Sequence, residues 1–91
     1  MSAAALLVRH QVEDYGAWRT VYDSVEDLRQ RYGCLGAEVM TDPGDKNDVL
    51  VIHRFPTVQA AQAFAGSEDL KAAMGRGGVA GAPRIDIVTE A

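Results

Sequence analysis

Apolar and polar positions alternate from Ala4 to Val12. Leu6, Val8, His10 and Val12 share one side and Leu7, Arg9 and Gln11 the other, so this segment predicts a strand. Asp14 then stands where an N-cap is wanted, and Trp18, Val21, Tyr22, Val25, Leu28 and Tyr32 recur at the spacing of one helical face. Ser24, ahead of Glu26 and Asp27, is expected to reset that helix as a new N-cap, and Gly33 to stop it. Cys34–Asp42 reads as a second strand, weakened by Gly36. Asp42-Pro43-Gly44-Asp45-Lys46-Asn47 reads as a loop dense in turn formers. Asp48–Phe55 predicts a third strand, with Val49, Val51, His53 and Phe55 opposing Leu50, Ile52 and Arg54. Thr57 caps a helix whose apolar face is Ala61, Phe64 and Ala65. Gly66 breaks it, and Ser67 caps a short helix carrying Leu70, Ala73 and Met74. Gly75–Pro83 reads as an irregular glycine-rich segment, and Arg84–Thr89 as a final strand with Ile85 and Ile87 on one face.

Strand, helix, strand, strand, helix, strand is the order of a ferredoxin-like α+β fold, an antiparallel sheet with its helices on one face. A faint repeat marks its two halves. Val8-Arg9-His10-Gln11-Val12-Glu13-Asp14 aligns with Val51-Ile52-His53-Arg54-Phe55-Pro56-Thr57, each ending at a helix cap. In this topology the two strands are central neighbours, so His10 and His53 take equivalent places two residues before a strand ends. The other sheet face carries Leu7, Leu50, Ile52 and Val88 among Arg9, Gln11, Glu38, Met40, Arg54 and Asp86. Helices on one side leave it bare, and a mixed face of this kind suits a second copy of itself. Arg9 and Arg54 are expected to pair with Glu38 or Asp86 across such a dimer, or to hold an anionic ligand.

Composition strengthens the expectation of a homodimer. The 91 residues make one domain, 1–91, and hydrophobic residues are 47% of them, but fourteen are Ala and only nineteen are Val, Leu or Ile. So small a domain with so little bulk is thinly supplied with core. A lone cysteine, Cys34, excludes an internal disulfide. A net charge of −4 argues against nucleic acid or an anionic membrane as partner. No stretch has the length of a membrane span, and the apolar run at the N-terminus stops early at Arg9-His10, so a cytoplasmic location is expected.

Candidate chemistry follows from the faces. Val12 and Phe55 directly precede helices and should face them, so by alternation His10 and His53 do too. Trp18 and Tyr22 lie four apart on the first helix, near Tyr15. The expected result is a space between helices and sheet lined by Trp18, Tyr22, Phe64, His10 and His53, with Tyr15 and Phe55 as further binding candidates. Aromatic walls with a few polar groups describe a small-molecule pocket, and an imidazole there can act as a base near neutral pH. The plain alternative is a packed core whose histidine and tyrosine tips bond to backbone. No metal site is expected, since close-spaced ligand motifs such as His-Glu-x-x-His are missing. Cys34 is read as an inert, partly buried thiol. Gly75-Arg76-Gly77-Gly78 lacks the ending of a phosphate loop and precedes a strand; it is read as a flexible loop, with a lid over the pocket as the weaker option. Asp23, Arg29 and Arg31 read as a solvated helix face.

These residues carry a family likeness. His10-x-Val12-x-Asp14-x-x-x-Trp18, then Asp23, Arg29 and Gly33, resembles the small dimeric α+β-barrel proteins, in the subgroup described as antibiotic-biosynthesis-monooxygenase-like or as cyclases. So do Asp42-Pro43, Ala60-Ala61-x-Ala63-Phe64 and Gly78-Val79-x-Gly81-x-Pro83. The resemblance covers almost the whole chain. It implies a protomer whose sheet packs on a second sheet to form a barrel, with a pocket between helices and sheet. The members include cofactor-free oxygenases, polyketide cyclases, haem-degrading enzymes, lactone isomerases and proteins of no known activity. The asparagine, tryptophan and histidine set of the haem-degrading members has no match here. The expectation is therefore a cofactor-free monooxygenase or cyclase of a small aromatic or polyketide-like molecule. His10 or His53 would be the base, Tyr22 the donor to a developing oxyanion, and Trp18 and Phe64 the orienting walls. Its rival is a non-catalytic binding or structural dimer module.

Overall fold

The structure, a computed structural model, describes residues 3–91. The chain runs β1 (Ala4–Val12), α1 (Tyr15–Ser24), α2 (Glu26–Arg31), β2 (Gly36–Asp42), β3 (Asp45–Phe55), α3 (Val58–Ala65), α4 (Glu68–Arg76) and β4 (Val79–Thr89). The strands form one antiparallel sheet in the order β2-β3-β1-β4. All four helices lie in the connections before β2 and before β4, as the ferredoxin-like α+β arrangement requires.

Local chemistry sets most boundaries. The Asp14 carboxylate accepts the Ala17 N–H at 2.9 Å, the Thr57 hydroxyl that of Ala60 at 3.1 Å, and the Ser67 hydroxyl that of Leu70 at 3.1 Å. Gly33 follows α2 at φ +83°, the left-handed turn that ends a helix. Three expectations need correction. The helix does break in its middle, but Val25 holds the cap position without a side-chain bond, while Ser24 turns its hydroxyl back to the Val21 carbonyl at 2.6 Å. The loop at 42–47 shrinks to a tight hairpin, because Asp42 pairs with Asp45 and β3 begins there. The glycine-rich segment is ordered and is not a lid: α4 continues to Arg76 and β4 begins at Val79. A register shift between Arg9 and Gln11 absorbs the extra β4 residues, and Gly81 takes φ +72° there.

The repeat has a geometric meaning. Val8 and Val51, aligned in sequence, are also partners across β1 and β3. An approximate two-fold axis therefore passes between them. His10 lies opposite Val49 and His53 opposite Leu6, on the helix face and on either side of that axis. Four residue steps separate them along the strands, about 13 Å at the usual rise.

The core beneath the helices has two parts. Ala4, Leu6, Val8, Leu28, Phe55, Ala61, Phe64 and Leu70 form one, and Val12, Trp18, Val49 and Val51 the other. On the far side of the sheet, charges pair within the chain. Arg9 grips Asp48 through two bonds, at 3.0 and 2.9 Å, and Arg54 meets Glu38 at 2.9 Å. Arg54 and Glu38 therefore do not wait for a partner subunit, as the sequence suggested.

Candidate functional site

A cavity of about 50 Å³ lies at the seam of the two core clusters. Its floor is the sheet: Val8 and Val51 at the centre, His10 and His53 at the two ends. Trp18, Tyr22 and Val25 from the first helical segment, Phe64 from α3 and Ala73 and Met74 from α4 close it. The strand alternation and the helical stripe thus bring together five of the expected residues. Tyr15 and Phe55 stay outside. Phe55 is sealed in the core against Phe64, because the last residue of β3 lies under the start of α3. Tyr15 opens α1 and packs on Trp18 from the far side, beside Lys46 and Arg19. Ala61 of α3 is packed in the core, and Ala73 of α4 is the alanine that faces the cavity.

The aromatic rings wall the cavity in two groups, one at each end. Trp18 stacks on Tyr22 at 5.0 Å between centroids and meets His10 edge-on at 5.7 Å. His53 meets Phe64 edge-on at 5.3 Å. Both histidines are deeply buried, 5% and 4% exposed, and the Nδ1 atom of each has no hydrogen-bond partner. Burial holds both imidazoles neutral. It pushes His53 down to about 4, helped by the positive charge of Arg29 and opposed by the Leu6 carbonyl. His10 is lowered for the same reason, and the Asp48 carboxylate partly offsets it. Tyr22 moves the other way, since burial raises its phenol despite Arg29 and Arg19, so it stays protonated and can donate.

One residue was misread in the sequence. Arg29 is buried and walls the cavity, where a solvated helix face was expected. Its guanidinium sits 3.9 Å from the Tyr22 ring centroid, and Nη1 donates to the Tyr22 carbonyl at 2.8 Å. The signal was available: Trp18, Tyr22, Val25 and Arg29 follow at steps of four, three and four, so Arg29 continues the inward stripe. Cys34 is half-buried, its thiol against the Gly36 carbonyl at 3.3 Å. Among the described residues, no three of His, Cys, Asp or Glu cluster as metal ligands. No helix among them is long and apolar enough to cross a membrane.

The family described as antibiotic biosynthesis monooxygenase matches residues 3–76. No curated protein matches the chain. Solved structures do. A protein of Bordetella bronchiseptica, provisionally described as an antibiotic biosynthesis monooxygenase, superposes with a TM-score of 0.84 at 13% identity, over 100% of this chain and 99% of its own. One from Caulobacter crescentus, described in the same words, gives 0.78 at 17% identity, over 99% and 91%. SnoaB of Streptomyces nogalater, a cofactor-independent oxygenase, gives 0.81 at 10% identity, over 100% and 95%. At such identities these likenesses establish the fold alone.

Proposed function

The chain belongs to the antibiotic biosynthesis monooxygenase family, and from that membership we propose that it is a homodimer that binds a small aromatic or polyketide-like molecule between helices and sheet and oxygenates or cyclises it without a cofactor. The observation that carries this reading is the pair of buried, neutral histidines, each with an unpartnered Nδ1, on a cavity walled by Trp18, Tyr22 and Phe64. Buried polar atoms ordinarily find partners, and an apolar cavity with a few unpaired polar groups in its wall is where a ligand site is first sought.

His10 is the better base. His53, held at about 4, is a poor proton acceptor, whereas Asp48 supports positive charge on His10. His10 removes a proton from an acidified methylene, and the carbanion spreads onto a carbonyl or phenol oxygen. The Tyr22 hydroxyl donates to that oxygen. In oxygenation the carbanion gives its electron pair to dioxygen, a C–O bond forms, and the hydroperoxide takes up the proton. Loss of water leaves a ketone, so CH2 and O2 become C=O and H2O. In cyclisation the same carbanion attacks a carbonyl carbon of its own molecule.

A second reading, a non-catalytic binding or structural module, draws on the cavity's size. At about 50 Å³ it is well below the roughly 300–1,000 Å³ of sites for drug-sized ligands. An aromatic substrate therefore needs Trp18 and Tyr22 to swing outward. Incubation with a hydroxylated naphthacenone separates the readings. Product formed only under oxygen marks an oxygenase, and product formed equally under nitrogen a cyclase. His10→Ala should lower the rate about 10²–10⁴-fold, with His53→Ala affecting it less. A rise in Tm without turnover favours the binding module. Neither turnover nor a Tm shift overturns the small-molecule reading for this substrate class.

A further inference from the structure

Arg29 is a largely buried residue whose charge has no counter-charge among the described residues. It is 9% exposed, and among the described residues no carboxylate lies within 4.0 Å of its guanidinium. Guanidinium has five N–H donors, and within the described chain only Nη1 has an acceptor, the Tyr22 carbonyl. The nearby acids do not neutralise it. Asp23 is held by Arg19 at 3.0 Å, and Glu26, on the same short helix, stays beyond ion-pair distance. The Nδ1 atoms of His10 and His53 are the buried side-chain polar atoms left without a partner among the described residues, so the unbonded nitrogens of Arg29 reach the solvent of the groove and are free to meet a ligand there.

Its position bears on what that ligand is. Arg29 and Tyr22 belong to the wall of two spaces at once: the inner cavity with His10 and His53, and an outer groove of about 430 Å³ that runs past Glu26 to Cys34 and Leu35. The stacked pair therefore forms the partition between the interior and the outer groove. Across the cavity burial keeps the imidazoles neutral, so Arg29 is the fixed charge of the inner wall. We propose that Arg29 is the anion-binding residue of this site, and that its ligand is a small organic acid whose carboxylate pairs with the guanidinium while its apolar body lies against Trp18 and Phe64. This rests on the reading of the cavity as the ligand site and adds the charge of what enters it. A planar fork suits a carboxylate, which can take two parallel bonds from it, and stacking on Tyr22 holds that fork in one orientation.

The test uses benzoate and its neutral isostere benzamide as probes, titrated calorimetrically into the full chain. Benzoate should bind about tenfold or more tightly than benzamide. Arg29→Gln should bring benzoate down to the benzamide level. Arg29→Lys keeps the charge but loses the fork, and should keep part of the preference. If Arg29→Gln does not fold, as its circular dichroism melt will show, the wild type and Arg29→Lys decide. Equal binding of the two probes by the wild type, or an undiminished preference in Arg29→Gln, overturns the inference. Equal binding leaves the cavity reading intact. Binding of neither probe overturns the anion site, and the naphthacenone assay then decides the cavity reading separately.

Discussion

His53 is uncharged because the fold places it under Phe64 and beside Arg29, and that has a consequence for stability. In the unfolded chain a histidine takes up its proton near 6.5; here it resists until about 4. Above pH 6.5 neither state is protonated, and the histidine contributes no pH dependence. As pH falls from 6.5 towards 4, only the unfolded state gains protons, so stability is lost across that window. Between pH 7.5 and 5.0 the loss from His53 is on the order of 2 kcal/mol. Urea unfolding at the two pH values should therefore show His53→Gln losing less stability than the wild type by about that amount. Equal losses would mean that His53 is not the source. His10 acts in the same direction, so some dependence remains in the variant. The histidines were legible because strand alternation fixes a face. Arg29 was not, because a charge on a helix is ordinarily solvated, and only its place in the Trp18–Tyr22–Val25 stripe spoke against that.

Side-chain caps made the starts of α1, α3 and α4 readable, and apart from the uncapped start of α2 the misjudged stretches are ruled by backbone pairing. Asp-Pro-Gly-Asp carries every sign of a loop, yet Asp42 and Asp45 pair because the strands on either side extend the ladder to the turn. The glycines after Arg76 read as a flexible loop in sequence, but the Glu13 N–H donates to the Gly78 carbonyl at 3.0 Å, and Val79 and Ala80 beside them pair with β1. Gly77 shows what such a glycine does for the site. A Cβ there would come within 3.0 Å of Trp18 Cδ1 and 3.3 Å of the Ala73 carbonyl, so the end of α4 approaches α1 this closely only without a side chain. Gly77→Ala should push the indole and cost about 1–3 kcal/mol, the usual range for overpacking. Trp18 is the chain's one tryptophan, so tryptophan fluorescence reports on this indole and its surroundings. A changed emission maximum with a lowered Tm is expected. An unchanged spectrum and Tm would show that the indole gives way freely.

At the scale of the molecule, the approximate two-fold axis between Val8 and Val51 and the helices on one face were both implied by the order of elements and by the seven-residue repeat. The distance between the histidines was not, because equivalence in an antiparallel pair places residues at opposite ends, a matter of register. The bare face of the sheet is where a second copy would pack. Its charges are paired within the chain, Arg9 with Asp48 and Arg54 with Glu38, which removes much of the penalty for covering them. Between them lie Leu7, Leu50 and Ile52, with Met40 and Val88 about half exposed. Such a patch is well suited to burial against its own copy. Leu7 sits near its middle, opposite Ile52 on one side and Asp86 on the other. An arginine at Leu7 is tolerable in a lone protomer, since Asp86 can meet it, but burial of two such charges about a two-fold axis is not. Leu7→Arg should therefore raise the dimer dissociation constant about 100-fold or more by sedimentation equilibrium. The wild type's Tm should rise with protein concentration, and that of Leu7→Arg should not. A wild-type chain that sediments as 9.8 kDa at every concentration would leave the face without a partner copy, and the fold would then have to hold its small core alone.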